Sequence, residues 1–256
     1  MLPTPRHAAI ALAASLLAAA ASAQSQNNGT NSMAVSETID RTVELSPGAD
    51  VSLESIAGPV TIETGNGPTA QVHIVRGAAT ARELACYQTK VDASASRLKI
   101  YHVQDKSREC NNIRSRQEVR LVLPRSANIS MSSVAGNVEI APTDGKLELS
   151  SIAGQVRAHG VRAADLSSIA GGLAMTLGQL DQRGVQVSSV VGATDLRFAS
   201  GTNADVHVDS VVGSVTSATP AIAISYKSGS AVARVGSGGT PVNISSVVGN
   251  VTLQGN

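Results

Sequence analysis

The sequence lacks tryptophan and has one phenylalanine and three tyrosines, so aromatic side chains make up only 2% of it. Globular cores normally use aromatic rings to fill irregular space, because each ring buries a large apolar area. Here valine, isoleucine, alanine, serine and glycine are abundant instead. A core of small and β-branched side chains favours repeated, regular layers over an irregular globular packing.

Cysteine is also scarce, with Cys86 and Cys110 as the two copies. Their spacing is far from the C-x-x-C of redox motifs, and neither is clustered with histidine, which weakens the alternatives of a redox pair or a metal site. In an exported chain a lone pair is most simply a disulfide. We therefore predict a Cys86–Cys110 bridge, which would stabilise the fold by roughly 3 kcal/mol in the chain-entropy model.

The net charge is only +1, so no global field favours nucleic acid or a membrane. Residues 76–125 nevertheless hold eleven Lys or Arg against five Asp or Glu. Arg108, Arg114, Arg116 and Arg120 are a candidate anion-binding face for acidic polysaccharide, lipid A phosphates or an acidic partner. A solvated strand face and hairpin loop is the commoner explanation of such arginines. Without interleaved aromatic rings to stack bases, nucleic acid is not predicted.

Residues 1–23 have the pattern of a secretory signal peptide: an early basic residue, an Ala-rich apolar run and Ala-Ser-Ala before Gln24. We predict cleavage between Ala23 and Gln24. The alternative, a membrane anchor, needs a longer and less Ala-rich run, and no later apolar stretch reaches about 18 residues. The sequence thus predicts an exported chain in the periplasm or outside the cell that does not span a membrane. Residues 24–39 are polar and predict a flexible leader.

A four-residue motif, S-[IV]-[AV]-G, is repeated along the rest of the chain. The seven copies begin and end at Ser55–Gly58, Ser133–Gly136, Ser151–Gly154, Ser168–Gly171, Ser189–Gly192, Ser210–Gly213 and Ser246–Gly249. From the second copy onward the glycines are separated by 18, 17, 21, 21 and 36 residues, and a degraded copy divides the last interval. A sustained period near 20 residues predicts a solenoid.

The residues around each motif alternate between polar and apolar, as in KLEL (146–149) before it and NVEI (137–140) after it. Such alternation predicts strands with one buried face. The phase changes between Leu149 and Ile152, so the serine pair or the glycine must form a corner. Glycine permits a positive φ, and a serine hydroxyl can satisfy backbone groups at a bend. We predict that residues 40–256 are all-β, a single-stranded β-solenoid of either hand with rungs of 17–21 residues.

No motif copy occurs between Gly58 and Gly136. Thr80 followed by Glu83 is a capping-box pattern and predicts a short helix over 79–86. The alternation predicts strands at 71–75, 97–103 and 118–124, with a polar loop before the last. Residues 79–117 would therefore be a disulfide-bearing insertion, and its helix would cover one end of the solenoid.

The repeat and the preceding segment VLPRSANISMSSVAGNVEI (122–140) resemble the bacterial putative-adhesin domain of unknown function. That family is a β-solenoid module of exported proteins, and the resemblance covers roughly residues 39–256. It implies association with a cell surface. The family has no catalytic residues that could be transferred to this chain.

Few residues suggest a catalytic or metal-binding site. His73, His102, His159 and His207 show no metal-ligand spacing, and no paired carboxylates can be picked out. The motif serine is not in a G-x-S-x-G elbow. We predict a module without enzymatic activity or cofactor that binds or scaffolds at the cell envelope. Its partner would be an unidentified envelope component, either anionic polysaccharide or protein.

Two alternatives remain open. The first is a polysaccharide-active β-helix enzyme, since parallel β-helices host lyases and hydrolases. The second is a purely structural envelope component that associates with itself edge to edge, through an exposed rung at the C-terminal end.

Overall fold

Every copy of the motif lies where the chain passes from one β-sheet to another. The computed structural model describes residues 34–105, 107, 110, 115–227 and 229–255, all within the unit Ser32–Asn256. In these residues the chain forms twenty-one strands and one helix, α1 (Ala81–Cys86), numbered in chain order. The prediction of a nearly all-β chain with one short helix is confirmed for the described residues.

The strands belong to two sheets, and we name each sheet by the number of its described strands. The ten-stranded sheet has the order β1 (Val35–Glu44), β4 (Thr69–Ala78), β7 (Ser115–Pro124), β3 (Val60–Gly65), β9 (Val138–Ile140), β11 (Val156–Val161), β13 (Leu173–Leu177), β15 (Thr194–Phe198), β21 (Val251–Gly255) and β17 (Val215–Ser217). The eleven-stranded sheet has the order β18 (Ile224–Lys227), β19 (Ser230–Val235), β16 (Ala204–Val212), β20 (Pro241–Val248), β14 (Val185–Val191), β12 (Ala163–Ala170), β10 (Lys146–Ala153), β8 (Asn128–Ala135), β2 (Asp50–Ala57), β6 (Arg97–Gln104) and β5 (Tyr87–Ser94).

Each motif joins one strand of the eleven-stranded sheet to one strand of the ten-stranded sheet. We call such a strand pair a rung and name it by its motif serine, so that β10 and β11 form the Ser151 rung. Neighbouring rungs pair in parallel and in register, with Ile152 beside Ile169 and Ala153 beside Ala170. Alternate residues of both sheets contribute to one hydrophobic core, which includes Phe198 among its largest buried side chains.

The corner predicted at the motif is formed by its serine. All seven motif serines have a positive φ, between 52° and 59°. In β10 the residues Leu147, Leu149 and Ile152 are buried, so the alternation changes phase at Ser151. The ladder between β10 and β12 pairs Ser150 and then Ile152, passing over Ser151. One left-handed residue per rung thus lets the next apolar side chain return to the core.

The motif glycines form a column at the same corner. A β-carbon on Gly154 would lie well under 3.0 Å from the backbone carbonyl oxygen of Gly136. The same clash recurs between Gly171 and Gly154, and between Gly192 and Gly171. Only a residue without a side chain allows adjacent rungs to approach this closely at the corner.

The rungs do not stack in chain order at either end. β2 and β3 lie between β6 and β7 on one side and β8 and β9 on the other. At the far end, β20 lies between β14 and β16, and β21 lies between β15 and β17. The prediction of an exposed C-terminal rung is therefore wrong, because both strands of the Ser246 rung have a partner on each side.

Antiparallel strands lie at both ends of the eleven-stranded sheet and at one end of the ten-stranded sheet, whose other end is the parallel strand β17. β1 and β4 pair antiparallel beside β7, and β5 pairs antiparallel with β6. At the other end β19 and β18 pair antiparallel beside β16. The two sheets are thus mixed, which the sequence prediction of a uniform single-stranded stack did not include. The reason is that an antiparallel partner has the same alternation of buried and exposed residues as a parallel one.

The helix and disulfide lie at the end formed by β1, β4 and β5. Thr80 caps α1 by accepting a hydrogen bond from the Glu83 backbone N–H at 3.2 Å, and Glu83 accepts one from the Ala79 N–H at 3.1 Å. This confirms the predicted capping residues. Cys86 and Cys110 form the predicted disulfide, with both side chains buried.

A buried arginine joins the elements of this end. Arg76 on β4 donates to the Glu37 carboxylate on β1, with 2.9 Å from Nε to Oε2. Its guanidinium also donates to the backbone carbonyls of Leu84 in α1 and Tyr87 in β5. One side chain therefore connects β1, β4, α1 and β5, and its buried charge is balanced by Glu37.

The flexible leader predicted through residue 39 ends earlier than expected, since β1 begins at Val35. β1 is an edge strand, and most of its side chains are exposed. Its sequence is therefore as polar as that of a leader. The predicted signal peptide and the remaining leader residues lie outside the described residues. The described chain contains no helix long and apolar enough to cross a membrane.

Candidate functional site

Two of the four predicted anion-binding arginines can be placed. Arg116 and Arg120 both lie exposed on β7, while Arg108 and Arg114 fall outside the described residues. Arg120 is already paired with Glu118, which lies between the two arginines, with 2.7 Å from Nε to Oε1. The neighbouring His73 on β4 lies 2.7 Å from Asp40. This face therefore mixes both signs of charge, and anion binding there stays a prediction.

A larger concentration of polar groups lies on the outward face of the eleven-stranded sheet. A groove of about 430 Å³ crosses β6, β2, β8 and β10, and is partly open to solvent. Four cationic side chains line it together with three carboxylates, Asp50, Glu54 and Glu148, and Asn128, Ile129 and two serines complete the lining. The cations are Arg97, Lys99, Lys146 and Arg183, and the serines are Ser52 and Ser130.

The local fold explains how the cations come together. Lys99 and Lys146 alternate with buried Leu98 and Leu147 along their strands, so strand geometry points them outward. Arg183 lies in the turn before β14, two strands from β10. The intervening strand begins with buried Ala163, whose small side chain leaves room for Arg183 to line the groove.

Three of the four cations have partners at the rim. Lys99 Nζ lies 2.9 Å from Glu54, and Lys146 Nζ lies 2.5 Å from Glu148. These pairs are partly exposed to solvent, where an ion pair contributes only about 0–1 kcal/mol. A ligand anion could therefore replace the acidic partners at little cost. Arg97 has no acidic side chain within ion-pair distance among the described residues.

Asp181 is the acidic partner of Arg183 and orients its guanidinium group. Partial burial raises the pKa of Asp181, but hydrogen bonds from the Arg183 side chain and backbone outweigh it and hold that pKa below its ordinary value. Asp181 in turn raises the pKa of Arg183. The guanidinium Nε lies 2.9 Å from the Asp181 carboxylate. The turn thus presents a fixed positive charge at the edge of the groove.

A second groove of about 300 Å³ extends the first across β2, β8, β10 and β12. Glu54, Glu148 and Asp165 line it, together with serines and without any lysine or arginine. Three of its four serines belong to a column that runs in register through five rungs, namely Ser132, Ser150, Ser167, Ser188 and Ser245. The surface therefore changes along the rungs from mixed charge with a small cationic excess to acidic and hydroxyl-rich.

The described residues contain no cluster of three or more histidine, cysteine, aspartate or glutamate side chains that could hold a metal ion. His102 is half-buried beside Gln117, whose amide Nε2 lies 2.6 Å from the ring Nε2. Burial lowers the pKa of His102, and the charge of Arg76 lowers it further. This histidine belongs to the disulfide-bearing end and is not among the residues that line either groove.

Sequence reasoning missed the groove residues. Arg97, Lys99 and Lys146 occupy the polar positions of alternating segments, which is the only signal that they point outward. Their convergence depends on β6 pairing with β2, a neighbour more than forty residues earlier in the chain. No local pattern specifies that pairing.

No family model matches the chain, and no curated protein matches it. Similarity is found to solved structures. These include a "putative cell adhesion protein" from Clostridium sporogenes, with a TM-score of 0.46, 13% identity and coverage of 86% of this chain and 100% of that one. A "putative adhesin" from Bacteroides fragilis has a TM-score of 0.34 and 15% identity, covering 86% and 97% of the two chains. A "putative lipid binding protein" from Parabacteroides distasonis has a TM-score of 0.33 and 10% identity, covering 86% and 96%. At these values the similarity assigns neither family nor function to this chain.

Proposed function

We propose that the seven rungs form a β-solenoid, and that the chain is an exported, non-catalytic and adhesin-like module that binds an anionic polysaccharide of the cell envelope. Parallel, in-register rungs joined by one repeated corner support the solenoid. The Cys86–Cys110 disulfide supports export to the periplasm or the cell exterior, because such bonds persist in oxidising compartments.

The single observation that carries the proposal is the groove of about 430 Å³, in which four cations outnumber three carboxylates. Its floor offers hydroxyl and amide groups that can hydrogen-bond to sugar hydroxyls, and its rim offers charges for carboxylate or sulfate groups. The second groove is acidic and would repel an anionic polymer, so the proposal assigns binding to the first groove alone.

Partly exposed ion pairs at the rim also suit this ligand. Each carboxylate of the polymer can take the place of Glu54 or Glu148 beside a lysine. The individual contacts are weak, but a polymer that makes several of them at once gains affinity through effective concentration. Binding should therefore be stronger for long chains than for short oligosaccharides, and it should weaken as salt screens the charges.

The test is binding of the purified protein to alginate, a carboxylated polysaccharide, and to neutral dextran at low and high salt. Charge reversal in the double variant Arg97→Glu, Lys146→Glu should weaken alginate binding by about tenfold or more, which corresponds to about 1.4 kcal/mol. The matched control, Arg157→Glu with Arg197→Glu, makes the same charge change on exposed positions of the ten-stranded sheet.

A third variant, Arg116→Glu with Arg120→Glu, tests the face on β7. Alginate binding that is lost only in the groove variant supports the proposal. Equal loss in all three variants would indicate general electrostatic attraction and contradict a site in the groove. Absence of alginate binding at both salt concentrations would overturn the proposal, and release of shorter sugar products would show catalysis and overturn its non-catalytic part.

A further inference from the structure

The Ser246 rung occupies an interior position that the chain reaches last. In chain order it follows the Ser189 and Ser210 rungs, yet in space it lies between them. β20 pairs in parallel with β14 on one side and with β16 on the other, and β21 likewise pairs with β15 and β17. The last described strands therefore fill a slot in a stack that the earlier strands form around them.

The Ser189 and Ser210 rungs, which form the two walls of the slot, have the same apolar pattern as the Ser246 rung that lies between them. Val187 faces Ile244, which faces Val208, and Val190 faces Val247, which faces Val211. All three rungs carry the same motif sequence, SVVG. Any SVVG rung presented to the slot therefore finds the same apolar partners, and the slot has no means of distinguishing its own rung from that of another copy.

The segment that leads into this rung is suited to change conformation. Residues 236–240 connect β19 to β20 and have the sequence GSGGT. Gly236, Gly238 and Gly239 all have positive φ, so the turn depends on glycine freedom. Fully extended, five residues span roughly 17 Å, which is enough to lead β20 away from its own chain.

Few hydrogen bonds hold residues 236–240, which we call the hinge, in their turn conformation. The Ser237 N–H donates to the Asn203 side chain at 2.9 Å, and the Gly239 N–H donates to the Asp205 carboxylate at 2.9 Å. Both acceptors are exposed to solvent or half-exposed. The Gly238 N–H also donates to the Val235 carbonyl at 3.1 Å, and the Thr240 carbonyl accepts from the Asp205 N–H at 2.9 Å. Opening the hinge therefore breaks these four hydrogen bonds.

From this arrangement we propose that two copies of the chain associate by exchanging their Ser246 rungs, each inserting β20 and β21 into the slot of the other. The exchange preserves every strand pairing and replaces only the conformation of residues 236–240. Swapping an identical element is a low-cost route to a dimer for this reason. The proposal is independent of polysaccharide binding, because Ser246-rung residues line neither groove.

The test uses pairs of cysteines on register partners. Ser188 on β14 and Ser245 on β20 are partners in the same column, half-exposed and outward-facing. Neighbouring strands lie about 4.8 Å apart, within the usual range for bridged cysteines. The full chains Ser188→Cys and Ser245→Cys are expressed together with different tags and exported. Exchange brings the two new cysteines together and gives an interchain disulfide at twice the chain mass.

The matched control is the pair Ser150→Cys and Ser167→Cys, partners in the same serine column between rungs that follow each other in chain order. A single chain carrying both Ser188→Cys and Ser245→Cys forms the bond within the chain in its monomeric fraction, which establishes that the geometry permits it. An interchain disulfide in the first co-expressed pair well above the control pair supports exchange. Equal yields in the two pairs, with the intrachain bond intact, overturn it.

A hinge variant adds a second measurement. Asp205→Asn weakens the charge-assisted bond to the Gly239 N–H while leaving the strand pairing of β16 intact. The fraction of dimer in size-exclusion chromatography with light scattering should rise in this variant. A uniformly monomeric Asp205→Asn protein at concentrations that give disulfide-linked pairs of the Ser188→Cys and Ser245→Cys chains would contradict the hinge's role and count against exchange.

Discussion

The backbone carbonyl oxygen of Gly136 points at the α-carbon of Gly154 so closely that a β-carbon there would lie well under 3.0 Å from it. Gly154 also has a φ of 155°, a backbone region in which other residues are strained. The same relationship joins consecutive motif glycines along the column. A single methyl group at this position therefore meets both a steric and a conformational obstacle.

Gly154→Ala should lower the free energy of unfolding by about 3 kcal/mol or more, since overpacking and backbone strain each cost roughly 1–3 kcal/mol. The measurement is urea unfolding followed by circular dichroism. Gly67→Ala is the control, because a β-carbon at Gly67 would have no heavy atom within 4 Å and its φ is not positive. Equal stability of the two variants would show that the column can separate at the corner without cost.

The positive φ of the motif serines predicts an unusual order of stability among substituted variants. A left-handed conformation costs most residues roughly 1–2 kcal/mol and is worst for β-branched side chains. Ser151→Val should therefore lower stability by about 2 kcal/mol, while Ser151→Gly should preserve or raise it. Ser150→Val, one residue earlier in regular strand conformation, should change stability by less than about 0.5 kcal/mol. The thermal midpoints of the three variants check this order, and a destabilised Ser151→Gly would contradict it.

Removing the disulfide should loosen one end of the protein rather than all of it. Replacement of Cys86 and Cys110 by serine should cost about 3 kcal/mol at the end that contains α1, by loss of the constraint on the unfolded chain. Hydrogen exchange should accelerate in β1, α1 and β5 and stay slow in β12 and β13. Uniform acceleration in both regions would mean that the end strands and the central rungs unfold together.

Acid should destabilise the same end through His102. The folded protein lowers the pKa of this side chain below its ordinary value of 6.5, first by burial and then by the charge of Arg76. The unfolded chain therefore binds a proton more readily, so the stability that neutral His102 contributes is complete above pH 6.5 and is lost as pH falls toward the folded pKa.

The measurement for His102 is the urea midpoint as pH is lowered from about 7.5 to about 5, the interval in which histidine usually titrates. His102→Asn cannot take up the proton and should have a flatter dependence than the wild type over this interval. Parallel curves for the two proteins would mean that other groups control acid stability. Arg76, Tyr87, Thr89 and Gln117 surround the ring and are the residues to examine next.

The sequence predicts the local geometry of this fold better than its assembly. The change of phase at Ser151, the close approach at Gly154 and the helix cap at Thr80 each follow from a few adjacent residues, and the disulfide follows from the presence of only two cysteines. Rung order does not, because the copies at Ser189, Ser210 and Ser246 share one motif and one apolar pattern. Nothing local distinguishes β16 from β20 as the partner of β14.

The candidate site shows the same division. Arg97, Lys99 and Lys146 each occupy a polar strand position that alternation predicts to face outward. Their grouping requires β6 beside β2, and a turn that carries Arg183 over Ala163. The basic segment noted in the sequence placed two arginines on β7, where Glu118 pairs with one of them. Two other cations of the same basic segment, Arg97 and Lys99, line the groove, but the sequence did not single them out.

The interior position of the Ser246 rung has a consequence for cleavage of the chain. A protease that cuts once within residues 236–240 would break the covalent link between the rest of the chain and the fragment that holds β20 and β21. Both strands would still have a hydrogen-bonded neighbour on each side. The short fragment would stay bound, and the nicked protein would behave as a complex of two polypeptides with the mass and fold of one. Loss of the same strands at an ordinary end of the stack would only shorten it, whereas here it would leave a gap between two rungs.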